Sequence, residues 1–232
     1  MSRSDGRSVG MVERMTLCQR VVHGVLILAI LMLVLSGLAL AYHGHDWAHA
    51  LITMMGGFGG RAFVHRTGAA LLLLVGVYHL VASVVSARYQ RDLHSSVPRP
   101  ADVKAGWAGF LYRTLGRGEP PKYGHYTPMQ KFQYWLIVLG CLVMSLSGAV
   151  LWSPKASLEL FPKSFSDLML VIHSSQAQFA FILLIAWHLW DVHLAGGNFP
   201  MNPAWLTGKM REDLFKAQHG SEWDDMRKGT KE

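Results

Sequence analysis

The chain has 232 residues, 51% of them hydrophobic and 16% charged, with a net charge of +7. A soluble protein of ordinary composition carries about 25% charged residues, and here the apolar residues sit in four blocks almost free of charge, which argues against a soluble enzyme and a disordered chain. The two cysteines, Cys18 and Cys141, form no CxxC pair and no framework, and CxxCH is absent, which excludes a disulfide-rich secreted domain and a c-type cytochrome with covalent haem.

The four blocks, residues 20–42, 62–87, 131–152 and 167–195, each meet the roughly 20-residue length (range about 17–25) of a membrane-spanning helix. The expected fold is therefore an all-α membrane protein, a four-transmembrane-helix bundle forming one domain over residues 1–232. The first block holds His23. Its apolar run exceeds the roughly 7–15 residues of a signal-peptide core and no A-x-A-like site follows, so it is expected to remain as a span. The connector after it holds His43, His45 and His49, a possible metal motif but more simply a solvated loop. The second block holds His65, Arg66 and His79. Between spans two and three, residues 101–115 place Val103, Trp107, Phe110 and Leu111 on one side at helical spacing, which predicts a helix lying at the interface or on the bundle. The third block has no charge from Phe132 to Trp152. The fourth holds His173, His188, Asp191 and His193. In the tail, residues 200–232, Asn202-Pro203 signals a helix start and Gly220 a stop. No internal repeat stands out.

Basic residues sort by side. The N-terminal flank (Arg3, Arg7, Arg14, Arg20), the long loop between spans two and three, and the tail (Lys209, Arg211, Lys216, Arg227, Lys228, Lys231) hold eighteen of the 22, leaving Arg61, Arg66, Lys155 and Lys163 for the opposite side. The positive-inside rule then predicts cytoplasmic N and C termini. A charge split over three flanks without a binding motif argues against a nucleic-acid partner.

Ionisable residues inside spans are costly and mark functional sites. His65 and His79, 14 residues apart, fall within about 40° of one helix face and ~21 Å apart along the axis; His173 and His188, 15 apart, within about 60° and ~22 Å. Running the spans alternately through the bilayer gives an external layer of His65 and His173 and a cytoplasmic layer of His23, His79 and His188. This is the arrangement that two bis-histidine, non-covalent b haems stacked in a four-helix bundle require. A zinc site fits poorly, since zinc needs four ligands converging on one point. His193, 20 residues after His173, lies about 200° round an α-helix and faces away from that stripe. It and Asp191 sit near the cytoplasmic surface, where they could pass protons or simply lie at the interface. His94, His125 and His219 are expected to be solvated, Cys18 and Cys141 to be packing residues, and Gly24, Gly37, Gly68, Gly76 and Gly148 to permit close helix or haem approach. Geometry alone leaves open whether His23 or His79 pairs with His188.

Longer motifs carry a resemblance. Gln19-Arg20-Val21-Val22-His23, Arg61-Ala62-Phe63-Val64-His65, Tyr126-Thr127-Pro128-Met129-Gln130-Lys131-Phe132, Ser147 to Pro154, Val171-Ile172-His173 and Thr207-Gly208-Lys209-Met210 followed by His219 and Trp223 resemble the cytochrome b (gamma) subunit of respiratory formate dehydrogenase. That subunit belongs with the four-span di-haem cytochromes of hydrogenases and bacterial cytochrome b561. The resemblance implies that His65 and His173 hold an external haem and His23 and His188 a cytoplasmic one, leaving His79 as an accessory or alternative ligand. It also implies a menaquinone or ubiquinone site beside the cytoplasmic haem, with Thr127, Gln130, Asp191 and His193 as candidates. The sequence departs from the formate dehydrogenase pattern at His79, which has no counterpart there, in the 15-residue spacing of span four, usually 14, which calls for a local bulge, and at Thr127, where the family has an asparagine.

The expected function is a membrane-anchoring di-haem subunit of a respiratory oxidoreductase in the bacterial inner membrane. It would exchange electrons between the quinone pool and an extracytoplasmic partner, an iron-sulfur or multihaem cytochrome c subunit with its catalytic subunit. Quinone reduction or quinol oxidation would be its only chemistry, and direction matters, since one charge moved through the membrane potential is worth about 2.3 kcal/mol per 100 mV. The rivals are a stand-alone cytochrome b561-type quinone/superoxide oxidoreductase, a histidine-lined metal or proton transporter, and a purely structural anchor.

Overall fold

The computed structural model describes residues 10–119, 122–194 and 199–229. Arg3, Arg7 and Lys231 of the basic flanks, and Ala195 at the expected end of span four, lie outside them. In chain order the elements are β1 (Met11–Glu13), α1 (Leu17–Ala41), α2 (Asp46–Met54), α3 (Gly57–Val85), α4 (Ala87–Ser96), α5 (Pro100–Leu115), α6 (Pro128–Leu151), α7 (Pro154–Leu160), α8 (Lys163–Ile182) continued by a π-helical stretch (Leu183–Leu194), α9 (Ala204–Thr207), β2 (Lys209–Arg211), α10 (Glu212–Gln218) and α11 (Gly220–Gly229). Four are long and apolar enough to cross a membrane: α1, α3, α6 and α8 with its π-helical continuation. The fold is thus the all-helical four-span one, with a two-stranded ribbon, β1–β2, added.

The first and third spans start alike. Thr16 Oγ1 accepts from the Gln19 N–H (3.3 Å) while Gln19 Oε1 accepts from the Thr16 N–H (3.0 Å). Thr127 and Gln130 repeat this reciprocal cap at 3.2 and 3.0 Å. Each Thr-x-x-Gln satisfies donors that a helix N-terminus leaves open. The likeness continues: Thr16, Gln19, Ser36 and Gly37 recur, each 111 residues on, as Thr127, Gln130, Ser147 and Gly148. A repeat is therefore present. It is masked because most residues between its fixed points are interchangeable apolar ones.

The chain divides into two compact units. One, Val21–Val85 with Trp135–Trp190, holds the apolar spans. Its buried residues are mostly small: Ala29, Ser36, Ala39, Ala82 and Ser147 on the spans, Ala48 and Ile52 on α2, and Ser157 on α7. Small residues let helices approach closely in lipid. At Gly68 a Cβ would lie 3.0 Å from Met32 Cβ and 3.1 Å from the Ala29 carbonyl, which brings α3 against α1. Large side chains such as Leu74, Val84, Leu146 and Val171 point outward, as helices surrounded by lipid require.

The other unit comprises Met1–Arg20, Ser86–Tyr134 and Asp191–Glu232. Val12 pairs with Met210 in the antiparallel ribbon. The Gly208 carbonyl accepts from the Arg14 N–H (2.7 Å) and the Met15 N–H (3.1 Å). Met210, Phe215, His219, Tyr123 and Ser96 are among its buried residues. Asn202 Oδ1 accepts from the Ala204 N–H at 3.0 Å, as the start signal predicts. The stop is Gly208, at φ +79°, not Gly220, which opens α11. On α5, Val103, Trp107 and Phe110 are exposed, with the two rings stacked 5.5 Å apart. Asp102 caps α5 through the Arg99 N–H and pairs with Lys131 Nζ at 3.0 Å.

Three expectations are corrected here. His219 is buried, and its Nδ1 donates to the Gly124 carbonyl at 2.7 Å. His125 is half-buried between carboxylates, Nδ1 2.7 Å from Glu222 and Nε2 3.5 Å from Asp92. The tail folds back and removes both from solvent; His94 alone of the three is exposed. Cys18 is exposed rather than packed in the interior, whereas Cys141 is half-buried.

Candidate functional site

Within the span unit, His65 on α3 and His173 on α8 face each other, with ring centroids 6.3 Å apart and planes at 63°. Each Nδ1 meets a serine of the preceding span. Ser36 Oγ lies 2.8 Å from His65 Nδ1 and Ser147 Oγ 2.9 Å from His173 Nδ1. The adjoining glycines leave room for the rings: a Cβ on Gly37 would stand 3.7 Å from His65 Cε1, and one on Gly148 3.2 Å from His173 Cε1. With Nδ1 occupied, Nε2 is the nitrogen each ring offers to a metal.

These residues fit a haem iron, which the two Nε2 atoms would hold. A metal–nitrogen bond of about 2 Å plus roughly 1 Å to the ring centre, on both sides, gives about 6 Å between centroids. That matches the spacing found. A cation for a propionate is also at hand. Arg61 stands one turn before His65, with Nη1 3.3 Å from the Ser36 carbonyl and its buried Nε without a hydrogen-bond partner. Among the described residues no three His, Cys, Asp or Glu side chains converge as a metal-ion cluster would. His43 Nδ1 is turned to the Leu40 carbonyl at 2.9 Å.

His23, His79 and His188 are half-buried on α1, α3 and the π-helical stretch. The bulge that the 15-residue spacing calls for is present: Leu183–Leu194 is π-helical. Wider i→i+5 turns rotate each residue by about 85° rather than 100°. Ten α and five π steps then bring His188 to within about 20° of His173, where an unbroken α-helix would leave about 60°. The same change moves His193 from about 200° to about 50°, so the expectation that it faces away fails with the helix type it assumed.

Thr127 and Gln130 cap α6, a local structural task for two of the candidate quinone residues. Asp191 is half-buried. His193 packs against Trp205, centroids 6.3 Å apart, and its buried Nδ1 has no hydrogen-bond partner. Sequence reasoning missed Ser36 and Ser147. The signal was the Leu-Ser-Gly triplet at residues 35–37 and 146–148, a polar residue placed identically in two apolar spans.

A family model described as prokaryotic cytochrome b561 matches residues 14–192. A protein of Azospira oryzae named "Putative protein-methionine-sulfoxide reductase subunit YedZ1" is 26% identical over 136 residues, 57% of this chain and 66% of the relative. The chain thus spans just under two thirds of that relative's length. The family match is to the wider group in the resemblance, not to the formate dehydrogenase gamma subunit.

Proposed function

The chain belongs to the prokaryotic cytochrome b561 family, and from that premise we propose that it is the membrane subunit of a respiratory oxidoreductase, carrying electrons between an extracytoplasmic redox partner and quinone at the cytoplasmic side. In coarser terms it is a multi-pass protein of the bacterial inner membrane that binds haem b and transfers electrons. The observation that carries the finer reading is the His65–His173 pair, spaced 6.3 Å between centroids and held by Ser36 and Ser147.

We assign His65 and His173 as the ligands of one haem, nearer the external surface, and His23 and His188 as those of a second, nearer the cytoplasm. Each bound haem supplies a one-electron relay. His79 stands beside the second pair as an accessory group. Asp191 and His193 exchange protons at the quinone site; the orphaned Nδ1 of His193 supports that role. The distribution of eighteen basic residues over the two terminal flanks and the long loop supports cytoplasmic termini. The relative's name, a reductase subunit, supports a separate catalytic partner.

The test is haem content with ligand variants. A pyridine haemochrome assay should return two b haems per polypeptide, and one or none would sink the two-haem reading. His65→Ala and His173→Ala should each abolish or turn high-spin the same haem, and His23→Ala the other. His79→Ala should leave both low-spin.

A further inference from the structure

We propose that Ser36 and Ser147 are a matched pair of positioning residues, which hold both axial histidines of one haem in the Nδ1–H tautomer and thereby set its potential and the angle between its ligand planes. This rests on His65 and His173 being ligands of one iron.

The tautomer follows from counting protons. A serine hydroxyl has one. Ser36 Oγ gives its proton to the Met32 carbonyl one turn back in α1, and Ser147 Oγ gives its own to the Val143 carbonyl at 2.7 Å. In each case a second carbonyl of the same turn, Leu33 or Met144, lies 3.3 Å away and shares that proton. Both hydroxyl protons are spent on backbone, so each oxygen can only accept from the imidazole. The 2.8 and 2.9 Å contacts to Nδ1 therefore run from ring N–H to serine oxygen. Nε2 is left deprotonated, with its lone pair free for iron.

Both serines are buried, at 0% and 2% exposure, so water does not compete for either contact. A metal-bound histidine that donates its other N–H is a more basic ligand in a fixed orientation. More basic ligands favour ferric over ferrous iron, so each serine lowers the potential. The two contacts also pin the ring planes 63° apart. Because each serine meets a different one of the two histidines, their effects on a shared iron would add.

The experiment is redox titration and low-temperature EPR of the purified holoprotein carrying Ser36→Ala, Ser147→Ala or both, with His65→Ala and His173→Ala in parallel. Each serine variant removes one oxygen atom, and haem content should stay at the wild-type level. The potential of one haem should rise, shifting its reduction equilibrium by about three- to tenfold, up to about 59 mV for one electron. The shift should be larger in the double variant, and the large-g ferric signal of that haem alone should move as its rings gain freedom to turn. Unchanged potentials and signals in both serine variants, while the histidine variants lose that haem, would overturn the serine assignment alone. A shift in the haem that the histidine variants spare would overturn it as well. Histidine variants that keep every haem low-spin would instead sink the ligand reading beneath it.

Discussion

His219 is 2% exposed against the Phe215 ring, and burial first, then the charge of Arg14, pull its pKa down to about 4. Its neighbour Glu222 moves down for other reasons. Burial alone would raise it, but the His125 hydrogen bond and the Arg14 guanidinium, 2.9 Å away, hold its carboxyl below the ordinary value. A histidine whose folded pKa lies below the unfolded ~6.5 costs stability as pH falls from about 6.5 to about 4, because the unfolded chain takes up the proton first. The full cost is about 3 kcal/mol, at 1.36 kcal/mol per unit. The Glu222 contribution is present above its unfolded pKa, about 4.3, and is lost at still lower pH. We therefore predict that the folded tail resists proteolysis at pH 7.5 and becomes cleavable between pH 6.5 and 4, with His219→Ala cleavable already at neutral pH. A tail equally protected at pH 7.5 and pH 4.5 would refute this. The Arg14–Glu222–His125–Asp92 chain was not legible in the sequence, because its members come from four separated segments and only folding of the tail brings them together.

Among the elements, the π-helical stretch Leu183–Leu194 bears most directly on the site. It absorbs one extra residue between His173 and His188 and restores the shared face. Deleting Ala186 should therefore be tolerated. The spacing becomes 14 residues, an unbroken α-helix then holds the pair within about 40°, and the proposed second haem should stay low-spin. Inserting one alanine there adds about 100° and should cost that haem, read from the reduced α-band. A deletion that loses the haem while the insertion keeps it would mean that the π turns do not align the histidines. The four spans were legible because length and lack of charge suffice to define them in a bilayer. So was the need for a bulge, which is arithmetic on 173 and 188. The pairing of Met11–Glu13 with Lys209–Arg211 was not: two three-residue strands almost 200 positions apart carry no periodicity to recognise. The serine contacts were half-legible. Leu-Ser-Gly stands twice in the sequence, but its meaning depends on which histidine each serine reaches.

For the molecule as a whole, the proposed sidedness can be read from a native probe. Cys18 is exposed at the start of α1, while Cys141 is half-buried within α6. A membrane-impermeant thiol reagent should label Cys18 in inside-out vesicles and leave it untouched in intact spheroplasts, with Cys18→Ser as the blank. The reverse pattern would invert the topology, and with it the side on which a redox partner docks. The β1–β2 ribbon has a consequence of its own. One strand precedes the first crossing and the other follows the fourth, yet they are hydrogen-bonded neighbours. Two strands that must meet in one compartment allow only an even number of crossings between them. The ribbon is thus a parity check on insertion: a nascent chain in which any single span failed to enter the bilayer would strand β2 on the wrong side and could never close it.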